Sequence, residues 1–315
     1  CVIQPEGVKI LNGAGWSATT LTSILAEQCF RYECDQRNRM IVKKVPGSGQ
    51  IDLIYDARNR LVMMRDAKLA ASNAYLVTKY DDQNRPIETG VWTNSTIPTS
   101  HRNSSYNLAT YPTLSGVYDI LSKTGYDGYA NYPSGTLLTT NFDDTWNESP
   151  YINTTYGTSP LYAEKLLETK RMRDMVSWTM TKVLNSSPAK YLYTVSFYDE
   201  KGRPLQVKST NLSDGVDIVT TQYSWNGQPL VVINKQQKAG TNPQTTLIVT
   251  NFTYDDLWRV VKTEQRLQNT LVNNNALSTY KTVSTLEYDA LGQLKKKNLG
   301  TKPATENMAL AVQDF

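Results

Sequence analysis

Short runs of β-branched, aliphatic and aromatic residues, such as Val195-Ser196-Phe197-Tyr198 and Leu61-Val62-Met63-Met64, lie on either side of brief polar stretches along most of the chain. That pattern predicts strands joined by tight turns. The polar stretches resemble one another, and the unit can be written Tyr-Asp-x-x-Gly/Asn-Arg-Leu. Seven copies begin at Cys34, Tyr55, Tyr80, Tyr198, Tyr223, Tyr254 and Tyr288.

Each position has a physical reason. The second residue (Asp35, Asp56, Asp81, Asp199, Asp255 or Asp289) can accept hydrogen bonds from backbone N–H groups ahead of it. Three residues later Asn38, Asn59, Asn84, Gly202, Gly227 or Gly292 supplies the left-handed conformation that closes a type I turn and opens a bulge. Pro86, Pro204 and Pro229 fall on the first residue of the returning strand, where a missing N–H is tolerated. The next-to-last position is Arg39, Arg60, Arg85, Arg203 or Arg259 in five copies and Gln228 or Gln293 in two. A planar donor repeated at every turn points to a tie between neighbouring hairpins, made with Tyr55 and its equivalents, more than to a ligand site.

Spacing divides the chain. Residues 1–90 carry the first run of hairpins and 191–300 the second. Residues 91–190 form an insertion, and 301–315 a tail leading into further sequence. From Trp92 to Pro160 the insertion is dense in Ser, Thr, Asn, Tyr, Pro and Gly, which reads as loops and short strands packed over a sheet. Leu161, Leu166, Leu167 and Met172 form a partial apolar stripe that predicts a helix over Pro160 to Asp174, and a second short helix is expected over Pro303 to Phe315. The fold class expected is therefore mainly β: antiparallel hairpin repeats forming a curved ribbon, with an irregular insertion.

Composition agrees, with 20 Tyr against 5 Phe among 315 residues, since Tyr favours half-exposed strand surfaces. A net charge of +4 on 33 basic and 29 acidic residues gives no argument for nucleic acid. No run approaches the ~18 apolar residues of a membrane span. The cysteines, Cys1, Cys29 and Cys34, form no metal pattern. Cys29 and Cys34 on one strand would lie about 17 Å apart and should not bridge each other. Cys1 is either a lipid-bearing terminus or the edge of a fragment.

Candidate chemistry is sparse. The one histidine, His101, is expected in a loop, and no nucleophile, metal or phosphate motif surrounds it. No catalytic, cofactor or metal residue is assigned, and no enzyme is expected. An alternative role rests on the aromatic residues of the insertion, Tyr106, Tyr111, Tyr126, Tyr129, Tyr132 and Trp146. Their rings could stack on sugar faces as a cell-surface carbohydrate-binding or adhesion module, with Tyr126, Tyr129, Tyr132 and Trp146 as the contacts.

The seven turns, together with the phrases from Phe30 to Gly47, Thr78 to Asp81, Tyr191 to Asp199 and Tyr288 to Leu294, resemble the YD-repeat or Rhs proteins, in particular the large Bacteroidetes-type forms. The resemblance implies a long β-ribbon wound into a hollow shell. Such a shell belongs to a secreted or cell-surface protein and often encloses a C-terminal toxic polypeptide; some relatives act in cell contact and sugar binding. It also implies that the partners are further repeats of the same polypeptide at both ends, an enclosed toxin domain or a cell-surface glycan. Neither the family's variable toxic end nor its Asp-Pro-x-Gly self-cleavage motif is present here. Three residues depart from the pattern: Cys34 for Tyr, Ser224 for Asp and Trp258 for Gly. Trp in a left-handed position is unfavourable, so the Tyr254 hairpin is expected to be the least regular. Seven hairpins give about fourteen strands and a ribbon of ~67 Å. Closed into a ring this would be ~21 Å across, too narrow for a folded 100-residue cargo of about 34 Å.

Overall fold

The protein is described here by a computed structural model covering residues 2–159, 161–300 and 311–314. It is mainly β. The seven turns join β2 (Cys29–Cys34) to β3 (Met40–Lys44), β4 (Ile51–Tyr55) to β5 (Leu61–Arg65) and β6 (Ala74–Tyr80) to β7 (Pro86–Thr93). In the second run they join β10 (Lys190–Tyr198) to β11 (Pro204–Thr210), β12 (Val216–Tyr223) to β13 (Pro229–Lys238), β14 (Gln244–Tyr254) to β15 (Val260–Asn269) and β16 (Lys281–Tyr288) to β17 (Leu294–Leu299). The remaining described strands are β1 (Val2–Ile3), β8 (Tyr118–Tyr126), β9 (Val176–Val183) and β18 (Ala311–Asp314). Within each run neighbouring strands pair antiparallel in sequence order.

Contacts divide the chain into two compact units, Cys1–Thr124 and Gly125–Phe315. The stretch 91–190 is therefore shared: its first third folds with the first hairpin run and the rest with the second. In the first unit Ile54, Val62, Met63, Tyr75, Val77 and Trp92 form the core, with Tyr111 and Leu114 packed against it. In the second, Ile152, Ala163 and Leu166 of the insertion pack onto Leu205, Leu230, Val231, Ile233, Leu247 and Val249 of the sheet. The covered sheet face also buries Gln206, Lys208, Thr220 and Gln222, residues whose polarity alone would have placed them towards water.

Several expectations are corrected. The helix expected from Pro160 to Asp174 does not form in its described residues, 161–174. Leu166 and Met172 are buried while Leu167 is 65% exposed, because the segment runs extended across hairpin ends and gives its N–H groups to their carbonyls. The tail residues 311–314 are a strand paired to β17, not a helix; residues 303–310 and Cys1 lie outside the described residues. Helices occur instead at α1 (Pro5–Gly13) and α2 (Ala18–Glu27), where Pro5 opens the first and the Ser17 side chain caps the second by accepting from Thr20 N. Two more, α3 (Ala67–Ala71) and α4 (Pro98–Ser105), follow β5 and β7. Cys29 is disulfide-bonded and Cys34 is a free, exposed thiol. No described helix is long and apolar enough to cross a membrane.

Candidate functional site

The repeated feature of the molecule is the turn, and its geometry recurs closely. At Asp56 one carboxylate oxygen accepts from Arg58 N and Arg60 N, both at 2.9 Å, and the other accepts from Arg60 Nε at 2.7 Å. The main chain closes the loop with Asp56 N donating to Arg60 O and Asn59 N to Asp56 O. Asp35, Asp81, Asp199 and Asp255 make the same set. Asp289 caps Leu291 N and Gln293 N alone, since Gln293 replaces Arg. The strand register shifts at the Tyr position in all seven hairpins. At the fourth turn position Asn38, Asn59, Asn84, Gly202, Gly227, Trp258 and Gly292 all have positive φ, from 57° to 96°.

These hydrogen bonds tune the carboxylates. Burial pushes the Asp35 and Asp81 carboxyls up, but donation from Arg39 and Arg85 outweighs it and holds both below the ordinary Asp value. At Asp255 the backbone N–H of Arg259 is the largest cause of the same downward shift.

The Tyr254 hairpin is not irregular. Trp258 takes φ 59°, its N–H reaches Asp255 O at 2.9 Å, and the register shift matches the other turns. The bonds converging on Asp255 outweigh the ~1–2 kcal/mol cost of a left-handed non-glycine residue, and the indole packs on Tyr254 at 6.1 Å between ring centroids. Ser224 substitutes for Asp by accepting from Gln228 N at 2.9 Å while its hydroxyl donates to Asn226 Oδ1.

The same arginines link one turn to the next. Arg39 stacks on Tyr55, Arg60 on Tyr80, Arg203 on Tyr223 and Arg259 on Tyr288, at 5.2, 5.0, 4.6 and 4.4 Å from the ring centres. Arg39, Arg60 and Arg203 also donate to the carbonyl of the next turn's second residue: Asp56, Asp81 and Ser224. The link is returned by the tyrosines. Tyr80, Tyr223, Tyr254 and Tyr288 donate their hydroxyls to Leu61, Pro204, Pro229 and Val260, in each case the first residue of the preceding hairpin's returning strand. Guanidinium over ring plus hydroxyl to carbonyl is a two-way tie between successive hairpins.

An eighth turn of this kind had no Tyr-Asp spelling to reveal it. Asn211 accepts from Ser213 N and Gly215 N at 3.0 Å, and Asp214 takes the left-handed place at φ 65°. The signal was chemical equivalence, Asn for Asp and Asp for Asn, which a search for identity passes over.

Two segments of the insertion bind hairpin ends as straps. In the first unit Ser105 Oγ donates to Tyr55 O at 2.8 Å, Ala57 N donates to Leu108 O at 3.1 Å, and Arg60 Nη2 to Ala109 O at 2.6 Å. In the second, Glu164 N donates to Tyr223 O and Trp225 N to Tyr162 O, both at 2.9 Å, while Thr169 N reaches Tyr198 O at 2.7 Å. The Glu164 carboxylate pairs with Arg203 and Lys201. Both straps engage the carbonyl of the first turn residue, the N–H of the third and an arginine. Two buried glutamines anchor the second unit's insertion from below. Gln206 exchanges paired hydrogen bonds with the backbone of Asp143, and Gln222 does the same with Asn153.

His101 is buried in α4 at 2% exposure, not in a loop. Pro98 starts the helix and the imidazole packs among Tyr75, Trp92 and Tyr111, with Nδ1 at 2.5 Å from the Tyr111 hydroxyl. Burial, with the Arg65 charge second, lowers its pKa below the ordinary 6.5. Between that lowered value and ~6.5 the unfolded chain binds more protons, so stability is full above the unfolded value and falls as pH drops through it. His101→Phe should flatten this acid slope in urea-unfolding midpoints measured from pH 7.5 to 5; an unchanged slope would assign it to other groups.

The aromatic residues considered for sugar contact are mostly packed. Tyr129 donates to Ser196 O at 2.6 Å and lies against Phe197, and Tyr132 meets Trp178 and Tyr193 edge-on. Trp146 packs on the second core beneath Lys235, and Tyr126 is half-buried in β8. Tyr129 and Tyr132 border an open hollow of about 320 Å³ with Ser134, Thr136 and Asn141, which Trp146 and Tyr126 do not line. In the first unit Arg37 and Arg39 lie over Tyr106. Among the described residues no three His, Cys, Asp or Glu side chains converge as a metal site.

No family model and no curated protein matches the chain. Among solved structures it is similar to the crystal structure of TcdB2-TccC3-TEV, at 9% identity and a TM-score of 0.30. The match covers 94% of this chain and 14% of that one, so the chain spans about a seventh of its length. The functional reading therefore rests on the chain's own geometry.

Proposed function

We propose that this chain is a non-catalytic segment of the wall of a large exported YD-repeat, Rhs-like protein. Its work is to continue a hairpin sheet and to pair with further repeats of the same polypeptide. The observation that carries the reading is the tie between turns: the most regular side-chain chemistry in the molecule, Asp to Arg to the next Tyr, joins one hairpin to its neighbour. A wall needs a joint that can be repeated without limit, and this joint recurs with the same three residue types at four turns, while the Tyr223 turn, with Ser224 and Gln228, keeps only the Tyr254 hydroxyl bond to Pro229 O. A C-terminal toxic polypeptide is the cargo such a wall would enclose, and the outside of a cell is where it would act.

Cryo-electron microscopy of the full-length gene product tests this. The expected result places the two hairpin runs inside one continuous sheet wall flanked by further repeats. A protein in which they stand as a free, self-contained module would sink the proposal. A second reading, carbohydrate binding, is favoured by the hollow beside Tyr129 and Tyr132. It predicts saturable glycan-array binding that Tyr132→Ala removes, and a silent array ends it.

A further inference from the structure

The chain's one histidine lies where the first strap meets its sheet. Residues 95–115 leave β7, form α4 and return across the first hairpin run, and their main chain is tied down along the way. Tyr75 donates its hydroxyl to Thr96 O at 2.6 Å, Ala57 N donates to Leu108 O, Arg60 Nη2 to Ala109 O, and Trp92 Nε1 to Ser115 O at 2.7 Å. Arg102 and Ser105 of α4 donate to Ile41 O and Tyr55 O. The His101 ring fills the space between strap and sheet. Its Nδ1 bonds the Tyr111 hydroxyl of the same strap, and its ring centre lies 4.8 Å from Tyr75 and 5.7 Å from Trp92 of the sheet.

This space has no place for a charge. Nε2 is buried without a hydrogen-bond partner, so even the neutral ring leaves one nitrogen unsatisfied. Protonation would make both nitrogens donors and set a full charge among three aromatic rings. The facing groups do not compensate it. Arg65 of β5 donates to the Tyr75 hydroxyl at 2.9 Å, and its own Nε has no partner, so it adds a like charge. Burial raises the pKa of both Tyr75 and Tyr111, which stay neutral. The carboxylates of β4 and β7 are already engaged, Asp52 by Arg102 at 2.7 Å and Glu88 by Lys79 and Lys123 at 2.6 and 3.1 Å. No Asp or Glu occurs in β5, β6, α4 or residues 106–115.

We propose that His101 is an acid-sensitive latch: protonation of its imidazole releases residues 95–115 from the first hairpin run while the sheet beneath stays folded. The charged ring finds water only if α4 lifts away, and a helix of 8 residues does not persist alone. Opening therefore takes up one proton that the closed state excludes. Relative to neutral pH the opening constant rises about four-fold at pH 6 and about thirty-fold at pH 5, set by the ordinary histidine value of ~6.5. Above that value the latch is shut. Release strips Tyr55 O, Ala57 N and Arg60 Nη2 of their strap partners and bares Tyr75 and Trp92. The strap of the second unit, from Tyr162 to Thr169, engages its turns with no histidine, so the same design without the titrating group is present in the same chain. Latch and wall are separable, since a unit whose strap ignores acid could still be a wall segment.

Amide hydrogen exchange on the intact chain from pH 7.5 to 5, corrected for the intrinsic pH dependence of exchange, tests the latch. The reporters are Ala57 N, bonded to Leu108 O, and His101 N and Tyr106 N, bonded within α4. Their protection should fall about thirty-fold by pH 5, while the amides of β4 and β5 and those of Glu164 and Thr169 in the second strap keep theirs. His101→Phe should abolish the fall, and Tyr111→Phe, which leaves the imidazole in place, should retain it. Because the chain has one histidine, its imidazole NMR signal can be followed in the unaltered protein, and it should shift only as strap protection is lost. The proposal is overturned if protection stays flat, if His101→Phe loses it equally, or if the imidazole titrates near its ordinary value with the strap still protected. A fall shared by β4, β5 or the second strap would mark general acid loosening and overturn it as well.

Discussion

Asp56→Ala is expected to destabilise the first unit by about 3–5 kcal/mol. Asp56 is fully buried and receives two backbone N–H groups and both Nε and Nη2 of Arg60. Removing the carboxylate leaves two turn donors unpaired and a nearly buried guanidinium without its counter-charge, which is costlier than the pair itself is worth. The loss spreads, because Arg60 also holds Asp81 O, Asn84 Oδ1 and Ala109 O and lies over Tyr80. Urea unfolding with amide exchange at Arg58 and Arg60 measures it. Asp56→Ala combined with Arg60→Leu should recover part of the loss, since the stranded charge is then gone. A single-mutant cost under about 1 kcal/mol, the usual worth of an exposed ion pair, would mean that the turn cap is not what holds this hairpin.

Gln222→Leu is expected to cost the second unit about 2–4 kcal/mol and to loosen the segment from 141 to 169. Gln222 is 1% exposed, and its amide satisfies Asn153 N, Asn153 O and Glu164 O at 2.9, 2.7 and 3.1 Å. Leucine fills a similar volume but leaves those three main-chain groups without partners under the insertion. Each buried orphan costs about 1–3 kcal/mol, partly relieved where water can enter. Limited proteolysis should find cleavage in the insertion well before global unfolding, and Gln206→Leu should act alike at Asp143. Unchanged proteolysis and midpoint would show the insertion to be held by its apolar contacts alone.

The two sites differ in how readable they were. Asp56 and Asn59 declare their turn in seven consecutive letters, because every bond that makes the bend lies within five residues of chain. Gln222 declares nothing: its partners, Asn153 and Glu164, are 69 and 58 residues away. On an alternating strand its polarity reads as the wet face. Trp258 erred in the other direction, since a poor local preference was overruled by an Asp cap that was itself local. The stripe Leu161, Leu166, Met172 fits a helix in part, yet the N–H groups of Glu164 and Thr169 found better acceptors in Tyr223 and Tyr198. Signals for α1 and α2, Pro5 at the first turn and Ser17 at the cap, lie ahead of the first turn copy at Cys34 and outside the repeat.

By itself the sequence determined the hairpins, their turn type, the bulge at each tyrosine and the division into two runs, because Asp caps, left-handed Asn or Gly and strand alternation act over a few residues. Only the tertiary structure decided which sheet face is covered, where the straps cross the turns, and that Arg60 and Tyr80 tie two hairpins together. Alternation makes both faces of a strand equally available. The choice between them is made by whatever chain arrives from far away to satisfy buried donors and acceptors, and nothing local records its path.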